Sequence, residues 1–395
     1  MHLSQLALTN VRSFRRLDLD LRPGMHVVAG PNGSGKSNLL EAIALLATTR
    51  SARATTDAEL ISWDALRDEP LPVGRLSAQV STHEGPVTVE VVIGARAGQP
   101  GQPPAATRRF RVNGVARRAS DLIGRLRVVL FSADDLGIID GAPAARRRYL
   151  DVTISQLDPA YVRALQRYQR VLQQRNSLLR RLQERRGTPG ELDFWDQELA
   201  ESGAVVLTAR AATLAALARG AAERYLDLAP AREELAVCYR PALPPPLSEQ
   251  VDEPPAVLAP RFLESLVELR RRDIQAGATR IGPHRDDVSF LLGGHPAGAS
   301  ASRGQQRSAA LALRLSEVAL STARTGEAPV LLLDDVLSEL DAARRARVLA
   351  TAYEVDQVFI TTPDPDRPGP DELPGARHYI LSEGSIRPLD PGPSG

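Results

Sequence analysis

Gly30-Pro31-Asn32-Gly33-Ser34-Gly35-Lys36-Ser37 reads G-x-x-x-x-G-K-S, the spacing of a phosphate-binding P-loop. Lys36 is the only lysine in 395 residues; every other residue among the 49 Lys+Arg is arginine. A P-loop lysine is a compact point charge on a thin stem that reaches between phosphates, a place a planar guanidinium with its fixed fork of donors does not fit. Coding composition accounts for an arginine bias as readily as function does, so the single exception carries the information. His26–Ala29 is a short apolar run suited to a buried strand. Gly30, Gly33 and Gly35 let backbone N–H groups turn inward on phosphates. Ser37–Ile43 then reads as a helix whose N-terminus favours an anion. The Ser37 hydroxyl is expected to ligate Mg²⁺. The plainer alternative is a glycine-rich turn, against which stand the strand before and the helix after.

The chain is long enough for two or three domains, or for one large domain with an insertion, and its 43% hydrophobic content supports a proper core. A net charge of +1 means that any DNA contact must come from local arginine clusters. The single cysteine, Cys238, excludes an internal disulfide framework, fits a reducing compartment and reads as a small buried hydrophobe. Residues 1–25 carry charges throughout and no apolar stretch approaches ~20 residues, so the expectation is a cytoplasmic protein with no membrane partner.

Alternating apolar residues place strands at 3–9, 17–21, 75–81 and 87–93, and a further one at Arg108–Val112 before an Asn113-Gly114 turn. Residues 160–186 and 191–228 are long, helical and arginine-rich, separated by Gly187-Thr188-Pro189-Gly190, which reads as a helical hairpin. Its arms of ~26–38 residues span roughly 40–55 Å. Pro241–Ala256 reads as a surface linker, about 260–277 as a helix, 363–376 as a loop and 388–395 as a disordered tail.

Pro329–Asp335 is an apolar strand ending in two acids, a Walker B pattern. Asp334 at its tip is expected to hold Mg²⁺ and Asp335 to orient or activate the attacking water. The alternative is a strand followed by a helix-capping Asp; a P-loop needs a Mg²⁺ partner, and this is the best candidate. The P-loop and Walker B stand at opposite ends of the chain, so one sheet must be assembled from both. Ser302-Arg303-Gly304-Gln305-Gln306 precedes a helix over 307–323, and Ser338-Glu339-Leu340-Asp341 follows Walker B.

Taken in order, P-loop, Ser-x-Gly-Gln, Walker B and Ser-x-Leu-Asp resemble the ABC-type ATPase head. Asn10-Val11-Arg12-Ser13-Phe14 is similar to the start of SMC-like repair ATPases. Gly141-Ala142-Pro143 with Arg146–Asp151, and Ile281–Asp287, look like signatures of the RecF family of bacterial recombination mediators. The resemblance covers the whole chain. It implies an α/β, ABC-type ATPase head assembled from N- and C-terminal segments (1–130 and 279–387), with an inserted mainly α-helical lobe (131–278) containing the hairpin, and a tail (388–395). It implies slow ATP hydrolysis, an ATP-dependent homodimer, and binding of double-stranded DNA and single/double-strand junctions in DNA repair, with RecR, RecO and indirectly RecA as partners. The implied nucleotide contacts are Gly30, Pro31, Asn32, Gly33, Ser34, Gly35, Lys36, Ser37, Asn38 and Arg12. Ser302, Gly304 and Gln305 would meet the γ-phosphate held by the other protomer. Three features depart from the pattern: Ala133 stands where many relatives carry proline, no histidine follows Gln357–Thr361, and no glutamine-bearing Mg²⁺ loop is evident. Thr362 is the candidate for the histidine's role, and His284 reads as a structural or interface histidine and not a catalytic base.

Eight arginines fall between Tyr161 and Arg186, and Arg163, Arg167 and Arg170 share a helix face. That face either tracks phosphates or is a solvated face paired with Glu191, Asp193, Asp196, Glu198 and Glu201 on the next arm. Other DNA candidates are Arg50, Arg53, Arg108, Arg109, Arg111, Arg117 and Arg118. Aromatic content of 4% gives no base-stacking platform, which favours backbone contact to duplex DNA. The rival readings are the ATP-binding subunit of a membrane transporter and a structural SMC-type tether, for which the hairpin is too short.

Overall fold

The computed structural model describes residues 1–51, 53–96, 105–228, 233–364 and 372–389; half of the expected 363–376 loop and most of the 388–395 tail lie outside them. In chain order the strands are β1 (His2–Val11), β2 (Phe14–Asp20), β3 (Gly24–Ala29), β4 (Val73–Thr82), β5 (Gly85–Arg96), β6 (Ala105–Val112), β7 (Val115–Arg117), β8 (Val128–Phe131), β9 (Leu235–Arg240), β10 (Asp287–Leu292), β11 (His295–Pro296), β12 (Val330–Leu333), β13 (Gln357–Thr362), β14 (Arg377–Ser382) and β15 (Ser385–Pro388). The chain divides into two compact units, Met1–Asp135 with Glu317–Gly395, and Leu136–Ser316. The sequence-based division differs in placing 279–316 with the ATPase lobe. Those residues contact the helical unit because β10 pairs along β9, Asp287 opposite Arg240 through Leu292 opposite Leu235.

The first unit holds two six-stranded sheets, ordered β2-β1-β4-β5-β6-β7 and β15-β14-β3-β13-β12-β8. The first is antiparallel, and its alternation buries one face: Leu76, Ala78 and Val80 of β4, and Val89, Val91 and Ile93 of β5. The second is parallel from β14 to β8, with β15 closing a hairpin. β12 and β13 are buried at every residue, as expected of strands covered on both faces. Leu39, Leu40, Ile43 and Leu46 of the P-loop helix (Lys36–Thr48) join both sheets in one core with Val330, Leu332 and Phe359. Each such side chain contributes about 1.5–3 kcal/mol on burial. β8, a run of only four residues, escapes the sequence reading.

The second unit contains helices Pro143–Leu157, Pro159–Gln183, Leu192–Leu228 and Pro255–Ala276, and the small sheet β11-β10-β9. The hairpin arms of 25 and 37 residues correspond to about 37 and 55 Å. Helix Leu192–Leu228 corrects the expectation about apolar stretches: an 18-residue window in it has mean hydropathy 1.3, long and apolar enough by length and composition to cross a membrane. Its apolar side is a protein core, where Leu199, Ala204 and Leu207 pack with Tyr168, Phe262 and Leu266. Pro241–Ala256 is not a free linker, since Leu243 and Leu247 join the same core. Cys238 is only half-buried, on the less covered face of β9.

Two arginines are fully enclosed in this unit. Arg175 Nε donates to Asp196 at 2.6 Å, and its Nη1 to Asp273 at 2.7 Å and Thr279 Oγ1 at 2.8 Å. Arg210 reaches Asp151 at 2.7 Å and Asp286 at 3.0 Å. Arg175→Ala leaves two buried carboxylates without that counter-charge and is expected to cost about 3 kcal/mol, read as a lowered denaturant midpoint at unchanged slope.

Each unit also holds a neutral histidine, His26 fully buried and His284 partly buried. His26 stacks on Phe359 with centroids 5.0 Å apart and donates through Nε2 to Arg22 O at 2.8 Å. His284 Nε2 donates to Thr279 O at 3.1 Å, and Nδ1 meets Tyr168 Oη at 2.7 Å. Burial pushes both pKa values down to about 4. The unfolded rings titrate near 6.5, so between pH 6.5 and 4 the unfolded chain binds more protons. This stabilising contribution is complete above pH 6.5 and is lost as pH falls through 4. Urea midpoints are expected to drop across that window, and less steeply in His26→Phe.

Candidate nucleotide-binding site

β3 feeds the loop 30–35 directly into helix Lys36–Thr48, and β13 separates β3 from β12, which brings the tip of β12 beside Ser37. Ser37 Oγ donates to Asp334 Oδ1 at 2.8 Å. Lys36 is 4% exposed, and its Nζ folds back on the loop, donating to Gly30 O at 2.8 Å and Pro31 O at 3.3 Å. A Cβ on Gly30 would lie 2.4 Å from Leu381 O, and one on Gly35, at φ +107°, would lie 2.3 Å from Ser13 Oγ. Asn38 Nδ2 donates to Ser13 Oγ at 3.1 Å, which ties the Asn10–Phe14 segment to the loop. Arg12 grips Glu41 through Nε and Nη2, both at 3.0 Å, and Glu59 O through Nη1 at 2.9 Å.

Asp334 is met from three sides: Ser37, Thr361 Oγ1 at 3.1 Å, and Arg53 Nη2 at 3.1 Å on Oδ2. Asp335 sits at φ +56°, with its N–H donating to Thr361 Oγ1 at 2.9 Å. Thr361 is therefore the β13 residue beside both acids. Thr362, singled out from the sequence, bonds its own turn at Asp364, and its carbonyl accepts from Gly30 N at 3.2 Å. The sequence reading named Thr362 and not Thr361, because a strand buried on both faces shows no alternation that would tell which threonine lies beside the acids.

The loop fits a phosphate. Gly30 and Gly35 let the loop lie where a Cβ would collide with Leu381 O and Ser13 Oγ, and Ser34 Oγ is buried with no partner among the described residues. Ser37 and Asp334 supply a hydroxyl and a carboxylate, the hard oxygen ligands that suit Mg²⁺.

Ser302 and Gln305 lie in the second unit. Gln305 N donates to Ser302 Oγ at 3.3 Å and Ser302 N to Gln305 Oε1 at 2.8 Å, a reciprocal capping box. It starts helix Arg303–Thr325, four residues earlier than the sequence reading of 307–323. Gln305 Nε2 also donates to Glu233 at 2.8 Å. The two segments singled out around Arg146 and His284 meet each other: Arg146 Nε donates to Asp287 at 2.6 Å and Arg147 Nη1 to Asp286 O at 2.7 Å.

The arginine face on Pro159–Gln183 is mixed. Arg175 is core, and Arg167 bonds Glu198 at 2.7 and 2.6 Å. Asp193 and Asp196 are taken by Arg270, each at 2.6 Å. Arg163 and Arg170 are exposed, and no acid among the described residues pairs with them. Arg53 lies against Asp334, Arg108 pairs with Asp57, and Arg111 stands 3.6 Å from Glu90.

Comparison with known proteins gives one answer. The family model described as RecF/RecN/SMC N terminal domain matches residues 2–367. The DNA replication and repair protein RecF of Chloroflexus aurantiacus is 44% identical over 393 residues, covering 98% of this chain and 99% of that one. That of Herpetosiphon aurantiacus is 44% identical over 395 residues, covering 98% and 100%. A solved structure of the recombination mediator protein RecF-ATP in the RecFOR pathway is 30% identical, with TM-score 0.83 over 98% of this chain and 97% of that one. An Smc head domain at 17% identity and TM-score 0.50 shares the fold alone. With a family match over most of its length and relatives 44% identical from end to end, the chain belongs to the RecF family.

Proposed function

We propose that the chain is a recombination mediator: an ATP-dependent DNA-binding protein of the cytoplasm that dimerises on ATP and helps load RecA at single-strand gaps with RecO and RecR. The observation that carries this reading is the joining of Ser37 to Asp334 across the sheet, beside a glycine-rich loop whose carbonyls hold Lys36 Nζ. Full-length likeness to proteins named for DNA replication and repair supports it over a transporter subunit.

In this reading the loop N–H groups, Lys36, Asn38 and Arg12 hold ATP, and Ser37 with Asp334 hold Mg²⁺. The bound ion supplies charge neutralisation to the phosphates. Asp335 orients the attacking water. Thr362 and, from the second protomer, Ser302, Gly304 and Gln305 face the γ-phosphate. Slow hydrolysis resets a DNA-bound dimer. Duplex DNA and single/double-strand junctions are held through phosphates, with little sequence readout.

Two expected results test the dimer and the DNA surface. Ser302→Arg places bulk and charge where protomers meet, so sedimentation with ATP should show monomers that still bind nucleotide; an ATP-dependent dimer would refute the composite site. Wild-type binding of duplex should weaken with salt at a slope near 0.9 per phosphate contacted. Arg163→Glu with Arg170→Glu should lower that slope by about 1–2 and leave ATP binding unchanged. An unaltered slope would move the DNA surface elsewhere.

A further inference from the structure

Asp334 already carries a cation. Arg53 Nη2 donates to Oδ2 at 3.1 Å on a carboxylate whose side chain is 9% exposed, while Oδ1 takes Ser37 Oγ at 2.8 Å and Thr361 Oγ1 at 3.1 Å. The Arg53 side chain is itself 44% exposed. Its stem is anchored. Arg53 N and Ala54 N donate to Ser51 Oγ at 3.0 and 2.7 Å, and that hydroxyl donates to Glu41, which Arg12 also grips. The backbone at Arg53 is thus tied to the P-loop helix, whereas its head is held by Asp334 alone among the described residues.

A divalent ion on Asp334 and a guanidinium at hydrogen-bond distance from the same carboxylate repel strongly in a half-dry site. Arg53 on Oδ2 therefore weakens the carboxylate's hold on an ion at the Ser37 side, and an ion bound there favours release of Arg53. Resting on the nucleotide reading above, we propose that Arg53 is a latch: it closes the metal-binding carboxylate to free divalent cations and yields it to an ion that arrives with a nucleotide's phosphates. A bare ion would exchange its waters for one carboxylate and one hydroxyl, and would displace Arg53 without offering it another acceptor. A metal–nucleotide complex would bring phosphate oxygens that add hard ligands to the ion and could also accept the displaced guanidinium, whose planar fork matches them. Arg53 is therefore a residue that sets specificity for the complex over the bare ion, lowering apparent affinity for the latter by the fraction of time the latch is closed.

The test uses the full chain and Mn²⁺ as the probe, with free Mn²⁺ read by electron paramagnetic resonance, without nucleotide and with ATP. Wild type should take up bare Mn²⁺ weakly. Arg53→Gln should bind it on the order of tenfold tighter, the effect of removing one adjacent positive charge. Arg53→Lys, which keeps a cation at the site, should stay close to wild type. Adding Asp334→Asn to Arg53→Gln should erase the gain. Unchanged bare-Mn²⁺ affinity in Arg53→Gln, or a gain that survives Asp334→Asn, overturns the latch. If wild type fails to bind ATP with Mn²⁺, the nucleotide reading itself falls; if ATP binds normally and bare Mn²⁺ affinity is unmoved in Arg53→Gln, only the latch does.

Discussion

Asp335→Asn is expected to slow ATP turnover by ~10²–10⁴-fold, the usual effect of removing one well-placed acid–base group, while leaving ATP binding intact. The substitution keeps the size of the side chain and removes its charge. Lys36, Ser37 and Asp334, which are assigned to binding, are untouched. The backbone at Asp335 is left-handed (φ +56°), a conformation asparagine tolerates well, and its N–H bond to Thr361 does not depend on the side chain. The strand end should therefore hold its shape, and the variant should collect as an ATP-bound dimer. Single-turnover hydrolysis and sedimentation in ATP measure the two halves separately. Wild-type turnover in Asp335→Asn would assign the water-orienting role to another residue.

The candidate nucleotide site was legible because its constraints are local in sequence. Gly30 and Gly35 have no room for a Cβ, and glycine, lysine and serine at fixed spacing record that directly. β12 was legible as a continuous apolar run ending in acids. What was hidden lay in residues whose role depends on distant partners. Arg175 sits in a run of eight arginines that reads as surface, yet its counter-ions Asp196 and Asp273 are 21 and 98 residues away. Charge in a sequence defaults to solvent, and only the fold reveals pairing that makes burial tolerable. Arg53 belongs to the same class. It reads as a candidate DNA contact near the P-loop helix, and only the sheet order, which sets Asp334 beside Ser37, gives it a partner. The proline-rich stretch at 241–256 misled for a different reason. Prolines mark irregular backbone, but they do not say whether the leucines among them are covered, and Leu243 and Leu247 are.

The lone lysine makes the second large effect measurable without a mutation. An amine-reactive reagent has two targets, Lys36 and the α-amino group of Met1, which is paired with Asp356. Lys36 Nζ is bonded to Gly30 O and Pro31 O in a narrow loop. ATP with Mg²⁺ is expected to block its labelling and to leave labelling of the terminus unchanged, as judged by mass spectrometry of the two peptides. Lys36→Arg should lose roughly 2–5 kcal/mol of ATP affinity, the range for disrupting one member of a desolvated, hydrogen-bonded charge pair, seen as a roughly 30- to 5,000-fold rise in Kd. Conserving charge does not rescue the site. A guanidinium is planar and wide, and Nζ is held as a point charge between two loop carbonyls, Gly30 O and Pro31 O. Labelling of Lys36 that persists at saturating ATP would remove the lysine from the phosphates, and near-normal ATP affinity in Lys36→Arg would mean that the loop accepts any cation, leaving the chain's one lysine unexplained.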